Sequence, residues 1–258
     1  MSPRRPRSAL GLSLALAAML FGCRPQLEPI RWQPLDIEAL REAVAHPTGF
    51  VDEAAANEVA YAVVAGHESY RALSGFLHQV FAEPEPGASG DTGPVWVVPQ
   101  ALSGTSVYLL VACPGPDLDP GQPFAHGSLR IDSPSLDADV VATWAIEGQV
   151  RLGFDGCRIG DLVFDGSGPF YHASEPFELG FAPTLEVVDL AAPELPPIEI
   201  AEPLLWDPLD QVSAVFELES GETLVLDWRA TDLELLLRGV NGALTCTIVD
   251  AELVCEPP

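Results

Sequence analysis

Residues 222–255 read ETLVLDWRATDLELLLRGVNGALTCTIVDAELVC, and the alternation within them decides the fold. Leu224, Leu226 and Trp228 share one side of a first strand. Leu233, Leu235 and Leu237 share one side of a second, and Cys246 and Ile248 one side of a third. A repeat of two is the mark of a strand with one buried face. Asn241-Gly242 is the strongest two-residue hairpin signal in the chain, because a type I′ turn needs positive φ at both central positions. Centred there, the hairpin sets Leu237 against Cys246 and Leu235 against Ile248. A four-residue loop over Arg229–Asp232 sets Trp228 against Leu233, Leu226 against Leu235 and Leu224 against Leu237. One apolar face then runs through all three strands.

The same counting continues past Asp250. A two-residue turn at Asp250-Ala251 places Ile248 opposite Leu253 and Cys246 opposite Cys255. That pair falls at a non-hydrogen-bonded position, where Cα atoms stand ~4.5 Å apart, within the range of a disulfide. The spacing therefore predicts Cys246–Cys255 and, by elimination, Cys113–Cys157. Paired cysteines point to an oxidising compartment.

Working back towards the amino terminus, residues 191–211 are rich in Pro and Glu and read as an extended connection. Before them residues 95–190 read as a β domain. Its strand candidates are Val95–Val98, Ser106–Cys113, Gly127–Asp132, Asp139–Ile146, Val150–Asp155, Cys157–Phe164, Phe177–Phe181 and Leu185–Leu190. A three-residue loop at Glu147-Gly148-Gln149 would set Ile146 against Val150, Trp144 against Leu152 and Ala142 against Phe154. Glu83 to Pro94 lacks periodicity and is a linker or long loop.

Residues 35–82 change to a helical pattern. Asp36 is placed to cap a short helix ending near His46-Pro47, and Asp52 a second, Ala-rich helix ending at Gly66. A third follows, in which Tyr70, Leu73, Phe76, Leu77, Val80 and Phe81 form one apolar stripe that packs on the following β domain. The fold class expected is mainly β with an N-terminal helical segment (α+β), in antiparallel sandwich or meander sheets stapled by disulfides.

At the start of the chain Arg4, Arg5 and Arg7 precede an apolar run from Ala9 to Phe21, followed by Leu20-Phe21-Gly22-Cys23. A run of this length is shorter than the ~20 residues that span a bilayer. The stretch resembles the signal peptide of bacterial lipoproteins, with Leu at −3, a small residue at −1 and Cys at +1. The resemblance implies that residues 1–22 are removed and that Cys23 is lipidated, with residues 23–34 as tether. Two or more acyl chains give stable anchoring. Arg24 stands where Asp often signals inner-membrane retention, so the resemblance favours the outer membrane. Residues 212–258 contain GETLVLDW…DLELLL…GALTCTIVD, which is similar to the closing β module of uncharacterised lipoproteins from high-GC Gram-negative bacteria. That likeness implies a β-sandwich-like domain and no activity.

Composition narrows the chemistry. All 12 basic residues are Arg, and 38 residues are acidic. Beyond the leader nine Arg face those 38 acids, a net charge of −29. Such a field repels nucleic acid and anionic headgroups. Apolar content of 48% argues for a folded body in spite of this charge. Without Lys there is no P-loop, Schiff-base enzyme, kinase fold or Ser-Lys dyad. No G-x-S-x-G, C-x-x-C or H-E-x-x-H occurs, and His46, His67, His78, His126 and His172 are scattered.

Asp117/Asp119 and Asp137/Asp139 are D-x-D pairs that could suit calcium, but turn-forming Asp is the simpler account. Asp155, Asp161 and Asp165 could supply paired carboxylates, although nothing in the sequence brings them together. The reading is a lipid-anchored, non-enzymatic envelope protein without metal or cofactor, binding a protein or glycan partner. A calcium-dependent adhesion or assembly module is the alternative, and a hydrolase with an unrecognised site stands third.

Overall fold

Two capped helices open the body. The computed structural model describes residues 33–82, 97–101, 107–114, 124–133, 146–206, 211–229, 235–250 and 252–257. In α1 (Ile37–Ala45) the Ala39 N–H donates to Asp36 Oδ1 at 3.0 Å. In α2 (Glu53–Ala82) the Ala55 N–H donates to Asp52 Oδ1 at 2.9 Å. Each cap satisfies an amide that the first turn cannot pair internally. α2 is one continuous helix of 30 residues, which corrects the expected stop at Gly66. The Tyr70 ring fills the space over that glycine, and a Cβ at position 66 would stand 2.6 Å from its Cε2. Gly66 thus answers a packing need rather than a chain reversal.

The described strands are β1 (Val97–Ala101), β2 (Val107–Ala112), β3 (Ser128–Asp132), β4 (Gly148–Ile159), β5 (Leu162–Ser174) and β6 (Phe177–Phe181), then β7 (Thr184–Asp189), β8 (Ile198–Ile200) and β9 (Leu204–Trp206). The series ends with β10 (Gln211–Glu217), β11 (Thr223–Arg229), β12 (Leu235–Gly239), β13 (Gly242–Val249) and β14 (Glu252–Glu256). All pair antiparallel in one mainly β sheet, which joins the two β regions through β6–β9–β10. The sheet forks at β5. Leu162–Ser167 pairs β7, whereas Phe170–Ser174 pairs β6. The switch falls at Gly166-Ser167-Gly168-Pro169, residues that weaken a regular ladder and so accommodate a change of partner.

Several expected pairings shift. Leu152 lies between Ile131 of β3 and Gly168 of β5, so both edges of its strand are occupied and the Glu147-Gly148-Gln149 hairpin does not form. Gly148 and Gln149 are ladder residues of β4, and Ile146 precedes it. Cys157–Phe164 is two strands, not one, turning at Gly160-Asp161 where Ile159 pairs Leu162. The connection over 191–211 contributes two short strands, β8 and β9. Val95, Trp96 and residues 139–145 lie outside the described residues.

At the carboxyl end the expected faces hold while the register slips. Leu235 pairs Cys246 and Leu237 pairs Leu244, two residues from the expected match, so the turn is Val240-Asn241. Only Gly242 there takes positive φ, at 132°. Leu226 pairs Leu237 rather than Leu235, again two residues away. A slip of two returns each side chain to its own face. Ile248 does pair Leu253, and Cys246 pairs Cys255.

Around β6 and β9–β11 both faces of the sheet are covered. On the inner face Leu224, Leu226, Trp228, Leu235, Leu237, Trp206, Phe170 and Phe181 are buried, and α2 packs on them through Tyr70 against Trp228 and Phe81 against Phe170. On the outer face Leu205, Val215 and Val225 pack with Leu40 of α1. Ile37 and Leu35 sit over Gly180 of β6, where a side chain would displace them. Successive residues of β9, β10 and β11 therefore face opposite layers, as a strand requires.

Candidate functional site

Both predicted disulfides are present: Cys113–Cys157, with Cα atoms 5.4 Å apart, and Cys246–Cys255, with Cα atoms 4.0 Å apart. The first reaches across β3, since Ala112 pairs Ser128 and Ser128 pairs Asp155. It lands just beyond the bulge where Asp155 and Gly156 together oppose Asp165. The second ties the last described strand to its neighbour. Cys23 lies outside the described residues, as do Asp117, Asp119, Asp137 and Asp139.

The remaining carboxylate candidates have local employment. Asp165 Oδ1 accepts the Gly156 N–H at 2.7 Å and so closes the bulge. Asp161 pairs Arg158 across the Gly160 turn at 3.1 Å. Asp155 is exposed on β4. Among the described residues no group of three or more His, Cys, Asp or Glu could hold a metal ion. No described helix is long and apolar enough to cross a membrane.

The polar chemistry that the fold does assemble lies in three places. The first is the inner interface. His172, Leu179, Trp206, Val212 and Trp228 are successive cross-strand neighbours, forming one row beneath α2. His172 is 5% exposed and packs between Phe81 of α2 and Phe177 of β6. Its Nδ1 bonds the Ile146 carbonyl, while Nε2 is buried without a hydrogen-bond partner among the described residues. Burial holds the His172 pKa below the usual imidazole value, against the opposing pull of the Ile146 carbonyl and Glu147. Burial likewise lowers His67 on α2, opposed by Glu68. The Tyr70 hydroxyl donates to Glu202, and burial with that carboxylate raises the phenol strongly.

The second place is the outer face of β10–β12. Asp227, 5% exposed, accepts from Ser213 Oγ at 2.6 Å and from both Nε and Nη2 of Arg238. A carboxylate so buried needs such a set of donors. Arg41 of α1 donates to both oxygens of Glu178 on β6 in the same way, and this holds its guanidinium firmly charged.

The third comprises two side-chain amides that imitate strand pairing. Gln149 Oε1 accepts the Leu35 N–H, and its Nε2 donates to the Leu35 carbonyl, both at 2.9 Å. Asn241 Oδ1 accepts the Val51 N–H at 2.6 Å, and its Nδ2 donates to the Val51 carbonyl at 2.9 Å. The Val240 N–H adds a bond to the Gly49 carbonyl at 2.8 Å. Residues 35–51 are thereby strapped over the outer face, clamped before and after α1.

No protein-family model, curated protein or solved structure matches this chain.

Reading by sequence alone missed these three polar sets. Asp227 follows Leu226 in an alternating strand and so reads as a solvent-facing acid. Asn241 carried a signal, but one for a turn. Gln149 carried none, because its partner is a backbone 114 residues away.

Proposed function

We propose that this chain is a lipid-anchored protein of the bacterial cell envelope, held through Cys23 and serving a non-enzymatic binding or structural role at the outer membrane. The observation that carries the reading is the leader ending in Leu20-Phe21-Gly22-Cys23, with an arginine-rich start and a short apolar run. The two disulfides support export, because such bonds persist in oxidising compartments. They also occupy every other cysteine, which leaves Cys23 for the lipid.

The charge supports a covalent anchor over an adsorbed one. The side chains of Arg41, Arg71, Arg130, Arg151, Arg158 and Arg238 each hold an internal partner. The acids greatly outnumber them, so the body is repelled from anionic headgroups. Its partner, a protein or a glycan, must tolerate or complement an acidic surface. Fractionation of cells tests the anchor: the wild-type chain is expected with membranes and Cys23→Ala in the soluble fraction. A Cys23→Ala chain that remains in the membrane would overturn the reading. Partner capture needs photo- or carboxylate-reactive crosslinkers, because the chain has no Lys.

A further inference from the structure

We propose that Asn241 is a modification site whose deamidation loosens the Val51 end of the strap formed by residues 35–51. The chain has only two asparagines, Asn57 and Asn241, and only the second precedes a glycine. A following glycine leaves the next backbone nitrogen unhindered, which favours its attack on the side-chain amide carbon. Asn57 lies within α2 and precedes Glu58, where helical backbone holds that nitrogen in place. Gln149 makes the matching clamp at Leu35 but precedes Val150, whose branched side chain hinders the same attack.

The chemistry is self-contained. The Gly242 nitrogen loses its proton and bonds to Cγ of Asn241, and ammonia leaves, taking up a proton from solvent. Water then opens the succinimide at either carbonyl, giving aspartate or isoaspartate. The sum is asparagine plus water to the acid plus ammonia, with one new negative charge. Asn241 is exposed to the water and base that this needs. While both bonds to Val51 hold, the amide plane is fixed against the strap; the reaction proceeds when they open.

The product cannot remake the clamp. A carboxylate at position 241 has acceptors only. The Val51 N–H keeps a partner, but the Val51 carbonyl loses the Nδ2 donor and meets an anionic oxygen instead. Isoaspartate also adds a methylene to the backbone beside the Gly239–Gly242 closing pair. The neighbouring Val240 bond to Gly49 depends on that turn. Position 49 is confined as well, since Leu224 and the Thr223 carbonyl crowd it.

The test uses the purified full chain incubated in mild alkali, with a urea-unfolded sample as the chemical control. Peptide mapping reads the mass gain at Asn241 and separates aspartate from isoaspartate. Hydrogen exchange then compares the Val51 and Val240 amides in modified and unmodified fractions. Product at Asn241, with exchange faster by about tenfold at both amides and unchanged on Leu35, is the expected result. If the unfolded control reacts fully while the folded chain gives none, the site is closed and the proposal fails. It fails equally if the modified fraction exchanges like its parent. Asn241→Asp supplies the carboxylate without the incubation; should it not fold, the incubated wild-type fraction still decides.

Discussion

The Tyr70 ring lies over Gly66, one turn earlier in the same helix, and holds α2 against Trp228. Helix propensity alone would favour Ala at position 66 by about 1 kcal/mol. The added Cβ would press into a ring that is itself fixed by Trp228 and Glu202. Overpacking of this kind costs about 1–3 kcal/mol. Gly66→Ala is therefore expected to lower stability in urea unfolding. A stabilised variant would mean that the ring moves aside freely.

Acid should loosen the end of α2. The folded pKa of His172 lies below its unfolded value because burial disfavours the imidazolium. The unfolded chain therefore binds more protons below about pH 6.5, and stability falls as pH drops through that value. His67 contributes in the same direction. Melting temperatures of the wild type and His172→Gln, compared between about pH 7.5 and about pH 5, check this. The variant is expected to lose less stability than the wild type over that interval.

The two disulfides should differ in weight. They close loops of 44 and nine residues in sequence separation. Loop-closure entropy assigns about 4 kcal/mol to the longer and about 2.6 kcal/mol to the shorter. Denaturant unfolding of Cys113→Ala/Cys157→Ala and Cys246→Ala/Cys255→Ala reads the order. A reversed order would show that local packing, not the unfolded chain, sets the cost.

Asp227 and Arg238 make a pair that should be costly to break and easy to replace. Arg238→Met leaves a carboxylate with 6% side-chain exposure held, among the described residues, only by Ser213. A buried charge stripped of its partner costs about 3–5 kcal/mol. Pairing that change with Asp227→Leu is expected to recover most of the loss. Equal losses in the single and double variants would place the cost in packing around Arg238 instead.

Much of the fold was legible in local pattern. The alternation of Leu224, Leu226, Trp228, Leu235 and Leu237 identified the inner face, and all five are buried. Their register was not legible, because Asn241 turns its amide to Val51 across 190 residues of sequence. That contact and the Val240 bond to Gly49 fix the turn one residue before the Asn-Gly pair. The two-residue slip that follows keeps the faces and changes the partners of Leu226, Leu235 and Leu237, which alternation cannot detect.

The first β region shows the opposite failure. Residues 142–146 alternate convincingly against 150–154, but β3 and β5 already hold both edges of that strand. Sequence counting sees neighbours in the chain and not rivals for the same edge. The second half of β5 was not among the expected strands, and Gly166, Gly168 and Pro169 within it mark its change of partner. Of the expected site residues, Cys246 and Cys255 were found by counting from a turn and Cys113 and Cys157 by elimination. The polar clamps needed the folded chain.

On loop-closure entropy the Cys246–Cys255 bond is the lesser of the two staples, yet it fixes something that no folding free energy measures. β14 has a strand partner on one side only among the described residues. An edge strand so placed can leave its own sheet and complete the same position in another copy. Covalent attachment to β13 forbids that exchange outright, whatever the concentration, for as long as the thiols stay oxidised. Its value is therefore kinetic and topological: it makes each chain the sole owner of that strand.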